Sequence, residues 1–125
     1  MSVTSSSSSV SPLAPREGER LVTGWGRTAP SSARIAVVAS VDDIVREVRG
    51  AGPRGVLARG LGRSYGDAAQ SGGATLLDLS ALDAATLDPT TGTVTAGAGA
   101  SLDALLRTLV PSGWFAVSYT HLTLP

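Results

Sequence analysis

From Val56 to Asp67 the chain runs Val-Leu-Ala-Arg-Gly-Leu-Gly-Arg-Ser-Tyr-Gly-Asp. An apolar run gives way at once to glycines, two arginines, a serine, a tyrosine and an acid. Glycines allow the N–H groups of a bend to converge, and converged amides carry partial positive charge. A nest of this kind on the end of a strand suits an anion, above all a phosphate. Ser64 adds a hydroxyl donor. Arg59 and Arg63 either neutralise a diphosphate or pair with Asp67 and Asp78. Asp67 would repel a phosphate, so its expected part is to brace the loop by accepting N–H bonds. Tyr65 either stacks on a flat ring or fills the sheet edge.

Two common phosphate motifs do not fit. The dinucleotide fingerprint with its first glycines at Gly60 and Gly62 needs a third where Tyr65 stands, and a helix opening in the loop. Here Asp67-Ala68-Ala69-Gln70 reaches Gly72 and Gly73 too soon for that helix. The nucleoside-triphosphate loop needs Gly-Lys-Ser or Gly-Lys-Thr, and the chain has no lysine. Earlier, Trp25 lies between Gly24 and Gly26 with Arg27 following. This is either a turn whose Trp plugs a core edge or a lip that lays an aromatic beside a ligand. His121 is the sole histidine and has no Cys, Glu or Asp at ligand spacing, so neither metal binding nor catalysis is assigned to it.

The elements that must hold these residues follow from local pattern. The chain has 125 residues, enough for one domain or part of one. Cysteine is absent, which excludes disulfides, thiol catalysis and thiolate metal sites. Ten basic and ten acidic residues cancel, which argues against a nucleic-acid surface. No apolar run is long enough to span a membrane, and no signal peptide is evident, so a cytoplasmic location is expected. Residues 1–19, serine-rich and then broken by Pro12, Pro15 and Gly18, are expected to be a disordered tail.

Pro30 and the two serines after it predict a turn. Ile35–Ala39 predicts a strand, Ser40 an N-cap, and Val41, Ile44, Val45 and Val48 one apolar helix face. Gly50, Gly52 and Pro53 stop that helix. Val56–Arg59 is the next strand, which completes a parallel, right-handed βαβ unit. Gln70–Gly73 reads as a turn and Thr75–Ser80 as a strand. Leu82 and Leu87 are spaced anchors, and residues 88–92 form a turn. Thr93–Ala100 is a strand with small residues at alternate positions, which lets backbone or ligand approach closely. Ser101 caps a helix whose apolar face is Leu102, Leu105, Leu106 and Leu109, ended by Pro111 and Gly113. Trp114 and Phe115 open another apolar segment.

The segments Thr23-Gly24-Trp25-Gly26-Arg27-Thr28 and Ala58 to Asp67 together closely resemble the start of flavoproteins of the vanillyl-alcohol oxidase type. The resemblance runs from Leu21 to Phe115. It implies an α+β (mixed α/β) FAD-binding domain, with residues 20–116 as its N-terminal part. By the same resemblance Gly60, Leu61, Gly62, Arg63, Ser64 and Tyr65 line the pyrophosphate of FAD, with Arg59 just before them. Trp25 and Gly26 would lie toward the adenine or ribose side. Ala68 stands where a relative carries asparagine, which removes one side-chain hydrogen bond and leaves the backbone nest. No flavin-linking His or Cys is evident, which fits non-covalent FAD.

The implied activity is oxidation of a sugar or polyol hydroxyl, on a small-molecule or lipid-linked sugar, by hydride transfer to the flavin. Catalytic residues of such proteins come later than this stretch, so none is assigned here, and little turnover is expected of these 125 residues alone. Val117–Pro125 departs from the family pattern and is expected to be a non-native tail. The alternatives are a non-catalytic nucleotide- or phosphate-binding module, and a structural piece whose glycines serve only turns.

Overall fold

The computed structural model describes residues 15–27 and 29–116. The expectations for residues 1–14 and for Val117–Pro125, His121 included, lie outside the described residues; of the tail expected over 1–19, residues 16–19 instead form a turn, with the Glu19 amide on the Arg16 carbonyl, that leads into the first strand. In chain order the elements are β1 (Glu19–Val22), β2 (Ser31–Val37), α1 (Val41–Arg49), β3 (Val56–Arg59), β4 (Thr75–Asp78), β5 (Ala85–Asp88), β6 (Thr93–Ala96) and α2 (Leu102–Leu109), which runs on into a short 3-10 turn (Val110–Ser112).

Four strands make a mixed sheet in the order β1-β2-β4-β3; β1 is antiparallel to β2, and β4 is parallel to both β2 and β3. β5 and β6 form a separate antiparallel hairpin. β2, α1 and β3 are thus a parallel crossover, as the pattern predicts, but the two strands are not neighbours. β4 lies between them because Thr75, Leu76 and Leu77 are all buried. A strand buried on both faces must be central.

Ser31 and Ser32, expected in a turn, instead open β2. The Ser32 hydroxyl donates to the Glu19 carboxylate of β1 at 2.5 Å, and its carbonyl accepts from the Gly73 amide at 2.7 Å. Pairing with β1 and the approach to β4 override the local turn propensity. Ala39 falls outside the strand because its amide bonds the Asp43 carboxylate at the helix start. β5, carried by Leu87, and β1 are the strands that residue pattern alone does not reveal; each is four residues long.

The core is built from small and branched side chains. Ala36, Val38 and Leu77 form its centre, with Ile44, Val56, Leu79 and Leu82 packed against it. The periodic face of α1 is only partly used: Ile44 reaches the core, while Val41, Val45 and Val48 stay exposed among the described residues.

Helix α1 begins as predicted. The Ser40 hydroxyl accepts from the Asp43 amide at 3.1 Å. The Asp43 carboxylate is lowered to about 2, first by its side-chain hydrogen bond with Ser40, then by the Arg46 guanidinium and the Ala39 amide. A carboxylate held below its ordinary value of 3.8 contributes stability that is fully present above that value and is lost as pH falls through about 2. Urea midpoints of the native chain should therefore fall more steeply between pH 4 and 2 than those of Asp43→Asn; parallel curves would contradict this.

Candidate functional site

β3 and β4 run parallel with Arg59 beside Asp78, so both strands leave the sheet on the same edge. The glycine loop continues from β3 and Leu79-Ser80 from β4. Facing them comes a second loop, Ala98 to Ser101, which leads from β6 into α2. The three segments line one cleft of about 700 Å³ at the carboxyl ends of the parallel strands, the usual position of ligand sites in open sheets of this kind.

Of the residues expected at the site, Gly60, Leu61, Gly62, Arg63 and Ser64 line this cleft. Gly62 and Gly66 hold left-handed backbone with φ of 65° each, which glycine adopts without steric cost. Among the described residues, no amide from Gly60 through Asp67 donates a hydrogen bond within the chain. Amides left free in this way beside a cleft are what an anion nest requires. A Cβ on Gly60 would meet nothing within 4 Å, so the loop's first glycine stands open.

The arginines divide. Among the described residues neither Arg59 nor Arg63 forms an ion pair, so the expected pairing with Asp67 or Asp78 is not made. Arg63 is exposed at the cleft. Arg59 instead lies beneath the loop against Gly62, and its guanidinium donates to the carbonyls of Ala69 at 2.6 Å and Thr23 at 2.8 Å. Bracing therefore comes from Arg59 and not from the Asp67 carboxylate; Asp67 contributes its carbonyl, which accepts from the Gln70 amide at 2.8 Å. Asp78 lines the cleft. It is tied to the Ser80 amide at 2.9 Å, and hydrogen bonding with Ser80 holds its carboxyl below the ordinary range.

Trp25 plugs no core edge, for it is 64% exposed. Tyr65 fills no sheet edge and is 86% exposed. The two rings meet edge to face, centroids 5.8 Å apart, beside the glycine loop. Both stand at the loop's outer side and not in the cleft lining. What brings Trp25 there is Gly24, buried against Gly66: a Cβ on Gly24 would overlap the Gly66 carbonyl oxygen.

Two groups of residues were missed at the level of sequence. The second loop, Ala98 to Leu102, forms the far wall. Its signal was the alternation of small residues through Gly97 and Gly99, followed by a capping serine. Each glycine packs on a carbonyl, Gly97 on Leu82 and Gly99 on Leu79, where a Cβ would overlap. Ser101 caps α2 through the Ala104 amide at 3.1 Å, which turns the positive end of that helix to the cleft. Gln70, read only as a turn residue, grips the Trp25 segment. A second cleft of about 620 Å³ opens at the amino ends of the strands, lined by Arg16, Glu19, Ser32 and Arg54 among others. Glu19 and Arg54 are engaged there with Ser32 and the Gly72 carbonyl.

Among the described residues no His, Cys, Asp and Glu cluster could hold a metal ion, and no helix is long and apolar enough to cross a membrane. Comparison with known proteins gives two findings. A family described as an FAD binding domain matches residues 32–122. A decaprenylphosphoryl-β-D-ribose oxidase of Mycolicibacterium smegmatis is 46% identical over 108 residues, a match that covers 82% of this chain and 23% of that protein. The chain thus spans about a quarter of the length of that relative.

Proposed function

This chain belongs to the FAD-binding domain family, and from that premise we propose that its glycine loop holds the diphosphate of FAD as part of a longer oxidoreductase. The observation that carries this is the run of glycine-loop amides without a partner in the chain among the described residues, of which those of Gly60 to Ser64 belong to the cleft lining. The residues present fit the group. Two glycine loops leave room for a bridging diphosphate, Ser64 and Ser101 offer hydroxyls, Arg63 offers an exposed cation, and the α2 amino end adds positive potential. Arg59 acts from behind by keeping the Gly62 bend in place. Trp25 and Tyr65 form the rim toward the adenine or ribose side. The flavin is held without a covalent link.

FAD, when bound, supplies the hydride-accepting ring, and the protein supplies binding, orientation and electrostatics. The relative's name points to a sugar hydroxyl as the group oxidised. We carry that across as the proposed substrate class, a sugar or polyol alcohol, free or lipid-linked. The second reading, a nucleotide-binding module without turnover, is favoured by one feature. Asp78 is the acid in the cleft lining, and it is already engaged by Ser80.

Purification of the full-length gene product tests the first reading: it should carry flavin and bleach on addition of the sugar. A well-folded, colourless product that takes up no FAD overturns it. Flavin uptake without any alcohol-dependent reduction leaves the second. Within the site, Arg63→Ala removes a cation at the diphosphate. Hydrogen bonds to charged groups contribute about 1.5–3 kcal/mol, so Kd for FAD should rise roughly ten- to hundredfold. The measurement is a flavin-fluorescence titration with the melting curve recorded beside it.

A further inference from the structure

We propose that Gln70, together with Arg59, is a positioning latch that fixes the Thr23–Gly26 lip on the glycine loop before any ligand arrives, and that FAD affinity depends on it. This rests on the FAD reading above.

The geometry is specific. The Gln70 carbonyl oxygen accepts from the Gly24 amide at 2.5 Å. Its amide nitrogen lies within hydrogen-bond reach of the Val22 carbonyl at 3.2 Å, the Ala29 carbonyl at 2.8 Å and the Ser31 hydroxyl at 3.2 Å. Its carbonyl and its NH2 group are thus both engaged by the chain from Val22 to Ser31, which carries Trp25. Arg59 repeats the connection one residue back at each end: it joins Thr23 to Ala69, while Gln70 joins Gly24. The absence of a Gly24 side chain lets the lip close onto the Gly66 carbonyl. Apart from these links, the one backbone bond within the lip among the described residues is Arg27 to Gly24.

Neither Gln70 nor the Arg59 guanidinium needs to touch a ligand for this to matter. A loop already held in its binding shape loses less conformational freedom on binding, and affinity rises accordingly. Freeing the lip should cost affinity through Trp25 and Tyr65, whose contact depends on both segments staying in place.

The test uses the full-length gene product with every tryptophan other than Trp25, Trp114 among them, replaced by Phe. Gln70→Leu keeps the side-chain size and removes every polar contact. The expected result is at least tenfold faster hydrogen exchange at the Gly24 amide, stronger acrylamide quenching of Trp25, and a roughly tenfold rise in Kd for FAD. Gln70→Glu keeps the acceptor for Gly24 and loses the donors. It should protect the Gly24 amide, raise Trp25 quenching and weaken FAD less than leucine does. Val38→Ala weakens the core from the other side and should leave exchange, quenching and Kd near their starting values.

Native exchange and quenching in Gln70→Leu would overturn the latch. A freed lip with unchanged Kd would overturn its role in affinity, as would equal FAD loss in Val38→Ala. If Gln70→Leu does not fold, Gln70→Glu decides by the same signals. A wild-type chain that takes up no FAD fails the cofactor reading alone; exchange and quenching then decide the latch.

Discussion

Gly62→Ala is expected to lose FAD binding by at least a hundredfold while the sheet stays folded. Two costs act together. Gly62 has φ of 65°, and an L side chain in that region costs roughly 1–2 kcal/mol. The added Cβ would also overlap the Arg59 guanidinium. Making room displaces the guanidinium, the free end of a flexible side chain, and strains its bonds to the carbonyls of Thr23 and Ala69, charged hydrogen bonds that contribute about 1.5–3 kcal/mol each. The loop relaxes more cheaply than it tolerates both, so the amide nest reorganises. The core around Val38 and Leu77 does not include this contact, which is why far-ultraviolet circular dichroism should change little. Gly60→Ala is the matched control. Its Cβ meets open space, so melting should be unchanged. Native FAD affinity in Gly62→Ala would remove the loop from the site.

Gly99→Ala should weaken FAD binding by tenfold or more and lower the melting temperature by several degrees. The Cβ would overlap the Leu79 carbonyl oxygen and come within 3.2 Å of that of Leu82. Both neighbours are backbone, so no rotamer change relieves the overlap and the whole second loop must shift. Overpacking of this sort costs about 1–3 kcal/mol, and in a domain of this size each kcal/mol moves the midpoint by roughly 4–8 °C. The shift carries Ser101 and the start of α2 away from the cleft. Paired flavin titrations and thermal melts check the result. A melting loss with unchanged Kd would show that the far wall does not touch the cofactor.

These two variants also mark the boundary of what residue pattern reveals. The Gly62 loop was legible because glycines, an arginine and a serine lie within a few positions of a strand end, and φ preference is local. The Gly99 wall was legible only as a row of small residues. What each glycine packs against, Leu82 for Gly97 and Leu79 for Gly99, lies 15 and 20 positions earlier and is decided by how the hairpin folds back. Arg59 shows the same division: its charge predicts an anion partner, yet its place against Gly62 gave it two carbonyls instead. Trp25, read at sequence level first as a core plug and second as a lip, was decided only when the fold placed Gly24 against Gly66.

The sequence by itself determined the caps at Ser40 and Ser101 and the β3 strand with its glycine bend, because each depends on neighbours within a few residues. The tertiary structure alone decided that β4 inserts between β2 and β3, that Ala98–Leu102 closes the cleft, and that Gln70 holds Gly24. Those contacts join residues up to 48 positions apart. Burial on both faces of β4 and backbone-to-backbone approach at glycine come into being only once the sheet has formed, so no local pattern encodes them.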